Sequence, residues 1–273
     1  MSGESLTQEH AASGSRGVVR RRKDAAFDRQ APERPAFWYL LARSFARMAS
    51  AAYSSVRVEG AERIPRTPVL YCFSHQCWID PGYVLAAVPR RPRVYFFGPE
   101  QEDMRRGARN RLMRRFGLVI PFAPGARGLL AATQRAALLA SRGASIAIAG
   151  EGRIHCGESV VLPLKEGAAY IALRAGIPLV PVAVNGTGWL GFRRVVRVRF
   201  GEPIQVASAT PGRPRADEVA DLTARAKADL DDLVLGFDDQ APSGRAGRWL
   251  TELFNDWPGG VRPPRGQRDE GRT

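Results

Sequence analysis

Between Val56 and Pro203 the sequence alternates short apolar runs with amphipathic ones, and that alternation limits the architectures open to it. The apolar runs, rich in Val, Ile, Leu and Phe, span 56–59, 69–73, 94–97, 118–121, 145–149, 179–184 and 195–200. Each has strand length. Helical periodicity fills most of the gaps, at 81–88, 106–116, 129–141 and 166–175. Strands that alternate with helices pair largely in parallel and need cover on both faces. The expected fold is therefore α/β: a single domain with a central mixed, partly parallel sheet flanked by helices. The sheet is expected to be mixed at its end, because the last two runs flank a short Asn185-Gly186-Thr187-Gly188 loop.

The flanking segments differ in character. Residues 1–36 are polar and carry the basic run Arg20-Arg21-Arg22-Lys23, which reads as a disordered basic tail. Residues 37–55 read as an amphipathic helix, with Phe37, Leu40, Leu41, Ser44, Met48 and Ala52 at helical spacing and Arg43 and Arg47 on another face. Such a helix can lie on lipid or pack on its own domain, and packing on the domain is the favoured expectation. The α/β domain takes in 56–235, closing with a charged helix over 216–235. Residues 236–273 are Gly-, Pro- and Arg-rich. They hold one short helix over 245–257, with Trp249, Leu250, Leu253, Phe254 and Trp257 on one stripe, read as a docked cap.

Charge and cysteine content narrow the setting. A formal charge of +14 predicts attraction to polyanions: nucleic acid, an anionic membrane surface or phosphorylated substrates. Cys72, Cys77 and Cys156 form no Cys-x-x-Cys pair and their number is odd, which points to a reducing compartment. Spanning a membrane takes about 18 uncharged apolar residues, and the best stretch is broken by Arg43 and Arg47. A cytoplasmic protein, peripheral on the inner face of the membrane, is the expectation.

Two strand ends carry chemistry-bearing residues. After 69–73 comes His75-Gln76-Cys77-Trp78-Ile79-Asp80-Pro81, and after 145–149 comes Gly150-Glu151-Gly152-Arg153. On a continuous helix, residues five apart diverge by roughly 140°, so His75 and Asp80 can meet only across a turn. Asp80-Pro81 supplies one, with Asp80 expected to cap the helix that follows. An imidazole beside a carboxylate can take a proton from an alcohol. Arg153 suits bidentate phosphate recognition, and small glycines let backbone approach a ligand. A third cluster, Leu164-Lys165-Glu166-Gly167, opens a helix whose N-terminus favours an anion. A fourth, Ile177-Pro178-Leu179-Val180-Pro181-Val182, is an apolar wall.

In this order the four clusters resemble the glycerolipid acyltransferase family typified by the bacterial lysophosphatidate acyltransferases. The resemblance covers roughly Val56 to Pro203. It implies that His75 is the base and Asp80 its orienting carboxylate. It also implies that Glu151, Gly152 and Arg153 belong to the block that holds the glycerol phosphate, and that Pro178 and Pro181 belong to the closing block. Lys165 and Arg127 are read beside it as further phosphate contacts, Arg127 lying later than the arginine of the family's second block. The chain departs from the family pattern at Ser74 and Cys77, where Asn and Ser are usual, and at 148–153, which lacks the usual Pro and Thr. The implied activity moves a fatty acyl group from an acyl thioester, on coenzyme A or acyl carrier protein, to the hydroxyl of a lysophospholipid. 1-Acylglycerol 3-phosphate comes first among acceptors; glycerol 3-phosphate, other lysophospholipids and lyso-ornithine lipid are the alternatives. No cofactor beyond the thioester co-substrate and no metal is implied.

Three other readings compete. Cys77 two residues from His75 suggests a thiol nucleophile, although residues two apart rarely aim at each other. His75, Cys77, His155 and Cys156 offer zinc ligand types, but adjacent His155-Cys156 is not a usual ligand spacing. The charge suggests a nucleic-acid-binding protein, yet no helix-turn-helix, zinc-finger or RNA-binding signature is present, and no nucleic-acid partner is expected.

Overall fold

A computed structural model describes residues 37–99, 117–122, 126–155, 157–207, 213–238 and 244–254. Within them the order is α1 (Phe37–Tyr53), β1 (Ser55–Glu59), β2 (Leu70–Phe73), α2 (Asp80–Ala87), β3 (Val94–Pro99), β4 (Val119–Phe122), α3 (Ala126–Ser141), β5 (Ser145–Ala149), α4 (Gly167–Ala175), β6 (Leu179–Asn185), β7 (Val195–Phe200), α5 (Ala216–Val234) and α6 (Arg245–Phe254). The basic tail, the helix expected over 106–116, Cys156, Trp257 and the end of the chain lie outside the described residues.

The strands form one sheet in the order β1-β7-β6-β2-β5-β3-β4. β6, β2, β5, β3 and β4 run parallel, while β7 is antiparallel to β6 and carries β1 parallel to itself. The expected mixed sheet is what the chain forms, with its change of direction at the Asn185–Gly188 loop.

Sequence pattern explains each strand's place. β2, at the centre, reads Leu-Tyr-Cys-Phe and is buried on both faces, as a strand with helices above and below must be. β7 lies next to the edge strand β1 and alternates instead, with Val196, Val198 and Phe200 buried between arginines. Leu70, Ile146, Leu179 and Ala183 pack under α3, α4 and α5 through Leu139, Ile171, Leu222 and Leu230. On the other face, Tyr71, Phe73, Phe96, Val180 and Val182 meet Tyr39 and Ala42 of α1 and Tyr83 and Val84 of α2. Fully burying one such side chain is worth about 1.5–3 kcal/mol, so both layers are held mainly by apolar area.

This layering fixes where a ligand can sit. β2 feeds α2 on one face of the sheet, while its neighbour β5 leads on to α4 on the other. Adjacent parallel strands whose connections diverge leave a crevice beyond their carboxyl ends, the usual ligand site of open α/β sheets. That rule assigns the ligand site to the ground between residues 74–80 and residues 150–165.

α1 carries two apolar faces. Tyr39 and Ala42 turn inward, whereas Phe37 (70% exposed), Leu41 (44%), Phe45 (69%) and Met48 (68%) turn outward. The outward set includes Phe37, Leu41 and Met48 of the stripe read from the sequence, so packing on the domain, the favoured expectation, describes only the inner face. Arg43 is the hinge between the two faces: its guanidinium donates to Val88 O at 2.6 Å and ties α1 to the end of α2.

Candidate active site

His75 continues the residue parity of Tyr71 and Phe73, so it leaves β2 toward the α1/α2 face. Its ring stands edge-on to Phe73, with centroids 5.7 Å apart. The chain then turns sharply enough that His75 Nδ1 lies 3.1 Å from Asp80 Oδ2. The same carboxylate oxygen accepts the backbone N–H groups of Gln76 and Cys77, each at 2.8 Å. Asp80 is fully buried and His75 retains 13% of its side-chain surface.

This geometry corrects one expectation. Asp80 does not cap the helix: Ile79 is the N-cap, and Asp80 and Pro81 are the first helical residues. The carboxylate turns back onto the loop before it, closing the turn that the His-x4-Asp spacing requires. Because Oδ2 already receives two N–H donors, it faces Nδ1 as an acceptor. The imidazole proton therefore sits on Nδ1 and Nε2 carries the free lone pair.

The second strand end supplies the rest. Gly150 donates its N–H to Phe73 O at 3.0 Å and accepts from Lys165 N at 2.8 Å. Only glycine fits there, since a Cβ would stand 2.6 Å from Cys72 Sγ and 2.9 Å from Leu164 Cδ2. Gly152 has φ +69, and a Cβ on it would meet Lys165 Cγ at 3.2 Å. The Gly150–Arg153 turn thus lies against Lys165, and the side chains of Arg153 and Lys165 are both exposed.

Glu151 turns inward. It is 2% exposed, and its carboxylate accepts from His75 N at 3.3 Å, from the His155 ring at 3.0 Å and from Leu162 N at 3.4 Å. The resemblance put Glu151 in the block that holds a headgroup; here it braces the loops. Arg127 lies in the first turn of α3, which follows β4. β4 is three strands from β2, about 14 Å at ordinary strand spacing, and the Arg127 side chain lies outside the described residues. Pro178 precedes β6 and Pro181 lies within it, fully covered, as part of the apolar wall.

Sequence reading missed a third group. Glu158 is buried, and its carboxylate accepts Gly186 N at 2.9 Å, Gly188 N at 2.7 Å and Asn185 Nδ2 at 3.3 Å. It pins the loop beyond β6. Ser74 does the same for the loop beyond β2, its Oγ accepting from Val184 N at 3.0 Å. The glycines of the Asn185–Gly188 loop were the only signal, and they did not say which carboxylate they serve.

The rival chemistries fare as follows. Cys77 is fully buried, and Cys72, one strand position before Phe73, has its thiol pushed up to about 12 by burial and the nearby Glu151. Neither offers an accessible thiolate. Among the described residues, no three His, Cys, Asp or Glu side chains gather as a metal site, and the rings of His75 and His155 each face a carboxylate.

Comparison with known proteins agrees with this architecture. Residues 55–185 match the family model described as Acyltransferase. Among solved structures, the chain is similar to the 1-acyl-sn-glycerophosphate (LPA) acyltransferase PlsC from Thermotoga maritima, with 21% sequence identity, a TM-score of 0.55, and coverage of 73% of this chain and 81% of that one. At that identity the likeness is one of fold. No curated protein matches the sequence significantly.

Proposed function

We propose that the chain, whose residues 55–185 match the Acyltransferase family model, moves a fatty acyl group from an acyl thioester to the hydroxyl of a lysophospholipid, with 1-acylglycerol 3-phosphate as the first acceptor to test. One observation carries this reading: His75 and Asp80 are 3.1 Å apart at the mouth of the crevice, beside a loop that presents Arg153 and Lys165. The fold shared with a 1-acyl-sn-glycerophosphate acyltransferase is in keeping with this acceptor class.

The chemistry needs no covalent intermediate, because a thioester is already activated. Nε2 of His75 removes the acceptor's hydroxyl proton as its oxygen attacks the thioester carbon. Asp80 holds the ring in the tautomer that leaves Nε2 free and offsets the positive charge that develops on it. The carbon–sulfur bond then breaks, and the imidazolium returns its proton to the departing thiolate. Arg153 and Lys165 grip the acceptor's phosphate and fix its orientation, the step that makes the attack effectively intramolecular. The donor is acyl-coenzyme A or acyl carrier protein, and no other cofactor takes part.

Among the described residues, no helix is long and apolar enough to cross a membrane. The outward stripe of α1 offers a peripheral contact instead, in keeping with an acceptor that resides in lipid.

The test uses the purified full chain with 1-acylglycerol 3-phosphate and a series of acyl thioesters, following free thiol and lipid mass together. Glycerol 3-phosphate, other lysophospholipids and lyso-ornithine lipid serve as competing acceptors. Stoichiometric thiol and phosphatidate from the wild type, lost in His75→Ala, is the expected result. Equal thiol release by the wild type and His75→Ala refutes the mechanism.

A further inference from the structure

His75 is held by more than Asp80. Its backbone N–H donates to Glu151 Oε2 at 3.3 Å, and its carbonyl accepts from His155 N at 3.2 Å. The His155 ring closes the circuit, with Nε2 3.0 Å from the Glu151 carboxylate. Three residues on two loops thus form a closed ring of hydrogen bonds around one peptide segment. His155 and Glu151 are both nearly sealed from solvent, at 6% and 2% exposure. Their mutual contact is therefore made in a low dielectric, where such bonds are strong and costly to leave half-made.

The ring joins the two halves of the crevice. Asp80 fixes the imidazole from its Nδ1 side and the loop ahead of α2 from within. Glu151 and His155 fix the main chain of His75 and, through the same residues, the turn that carries Arg153. The distance from the base to the phosphate grip is consequently set by this circuit and not by the strands alone. Displacing a reacting group by about 1 Å can cost on the order of a hundredfold in rate.

We propose that His155 is a positioning residue: its ring holds Glu151 in place to lock the backbone of His75, and so registers the base against the anion-binding loop. The inference rests on the reading of His75 as the base.

The test compares His155→Ala and His155→Gln with the wild type, as full-length protein. A glutamine carboxamide can still donate to Glu151, whereas alanine cannot. His155→Ala is expected to lower kcat roughly ten- to a hundredfold, with the KM for the thioester little changed, and His155→Gln to recover most of the loss. Imidazole nitrogen NMR of isotope-labelled protein supplies a readout that needs no substrate. The Nδ1–H signal of His75 should shift or broaden in His155→Ala and match the wild type in His155→Gln. A His75 signal unmoved in His155→Ala overturns the proposal, as does a kcat that falls equally in both variants. Should His155→Ala fail to fold, His155→Gln decides: wild-type kcat and His75 signals sustain the clamp, and loss of either in a folded protein overturns it. If the wild type transfers no acyl group, the reaction assigned above fails, while the NMR comparison still decides the clamp.

Discussion

At the scale of single residues, the burden falls on one carboxylate oxygen. Asp80 Oδ2 receives the imidazole and two backbone N–H groups, so one atom both orients the base and shapes the turn that presents it. Asp80→Asn keeps the volume but can turn an NH2 toward those donors and removes the charge that balances an imidazolium. We expect kcat to fall by roughly 10²–10⁴-fold in the acyl-transfer assay, with the helix content seen by circular dichroism kept. Cys77→Ala separates the thiol reading from this one. The side chain is buried, so its truncation should cost about 1 kcal/mol of stability in urea melts and leave kcat near wild type; a dead but folded variant would establish the thiol as the nucleophile. The sequence showed His75 and Asp80 because they follow an apolar run and precede a proline. It did not show what Glu151 does. A carboxylate in a Gly-rich turn reads the same whether it meets a ligand or a buried histidine, and only burial distinguishes the two. Glu158 was less visible still, since it lies 27 residues from Asn185, its side-chain partner.

Elements were more legible than side chains. The runs at 145–149 and 195–200 coincide with β5 and β7, and the other strands shift by only one or two residues, because period-2 burial and continuous apolar runs are local signals. α1 shows where this stops: periodicity finds a stripe but does not say whether the core or something else covers it. Its outward Phe45 gives the test. Phe45→Glu should reduce sedimentation with anionic lipid vesicles several-fold without lowering the melting temperature, because the residue is 69% exposed; unchanged sedimentation would remove α1 from the membrane contact. α6 was read as docked through its aromatic stripe, but Trp249 is 64% exposed, and the dock includes Thr251, whose Oγ1 accepts from Leu190 N at 2.9 Å. α5 ends against its own dipole, with Asp229, Asp231 and Asp232 in or near its last turn. Desolvation, then Asp232, raises the pKa of Asp229 above the ordinary carboxylate range. A raised folded-state pKa means the ionised form opposes folding. The penalty is absent below the unfolded-state pKa and complete once pH passes the folded one. Asp229→Asn should therefore stabilise the protein near neutral pH, by roughly 0.3–0.5 kcal/mol after solvent screening, and the gain should vanish in acid; a pH series of thermal melts would show either outcome.

The molecule as a whole is strongly cationic, with 41 basic against 27 acidic residues. If that charge helps to hold an acidic bilayer, association should weaken as the screening length falls from about 8 Å at physiological salt to about 3 Å at 1 M. Flotation with anionic and zwitterionic vesicles across that range would measure it; salt-independent flotation would assign the attachment to α1 alone. The divergence of the connections after β2 and β5 has a further implication. One loop departs above the plane of the sheet and the other below, and they touch through His75, Glu151 and His155, so residues of either loop outside that contact can change without crowding the other. Headgroup preference can thus drift through substitutions at 152–153 and 157–165, while Glu151 and His155, which are bonded to His75, hold the turn at 75–80 as it is. A set of chimaeras that exchanges 152–153 and 157–165 between homologues, with Glu151 and His155 kept, should then swap acceptors and leave the proton-handling step untouched.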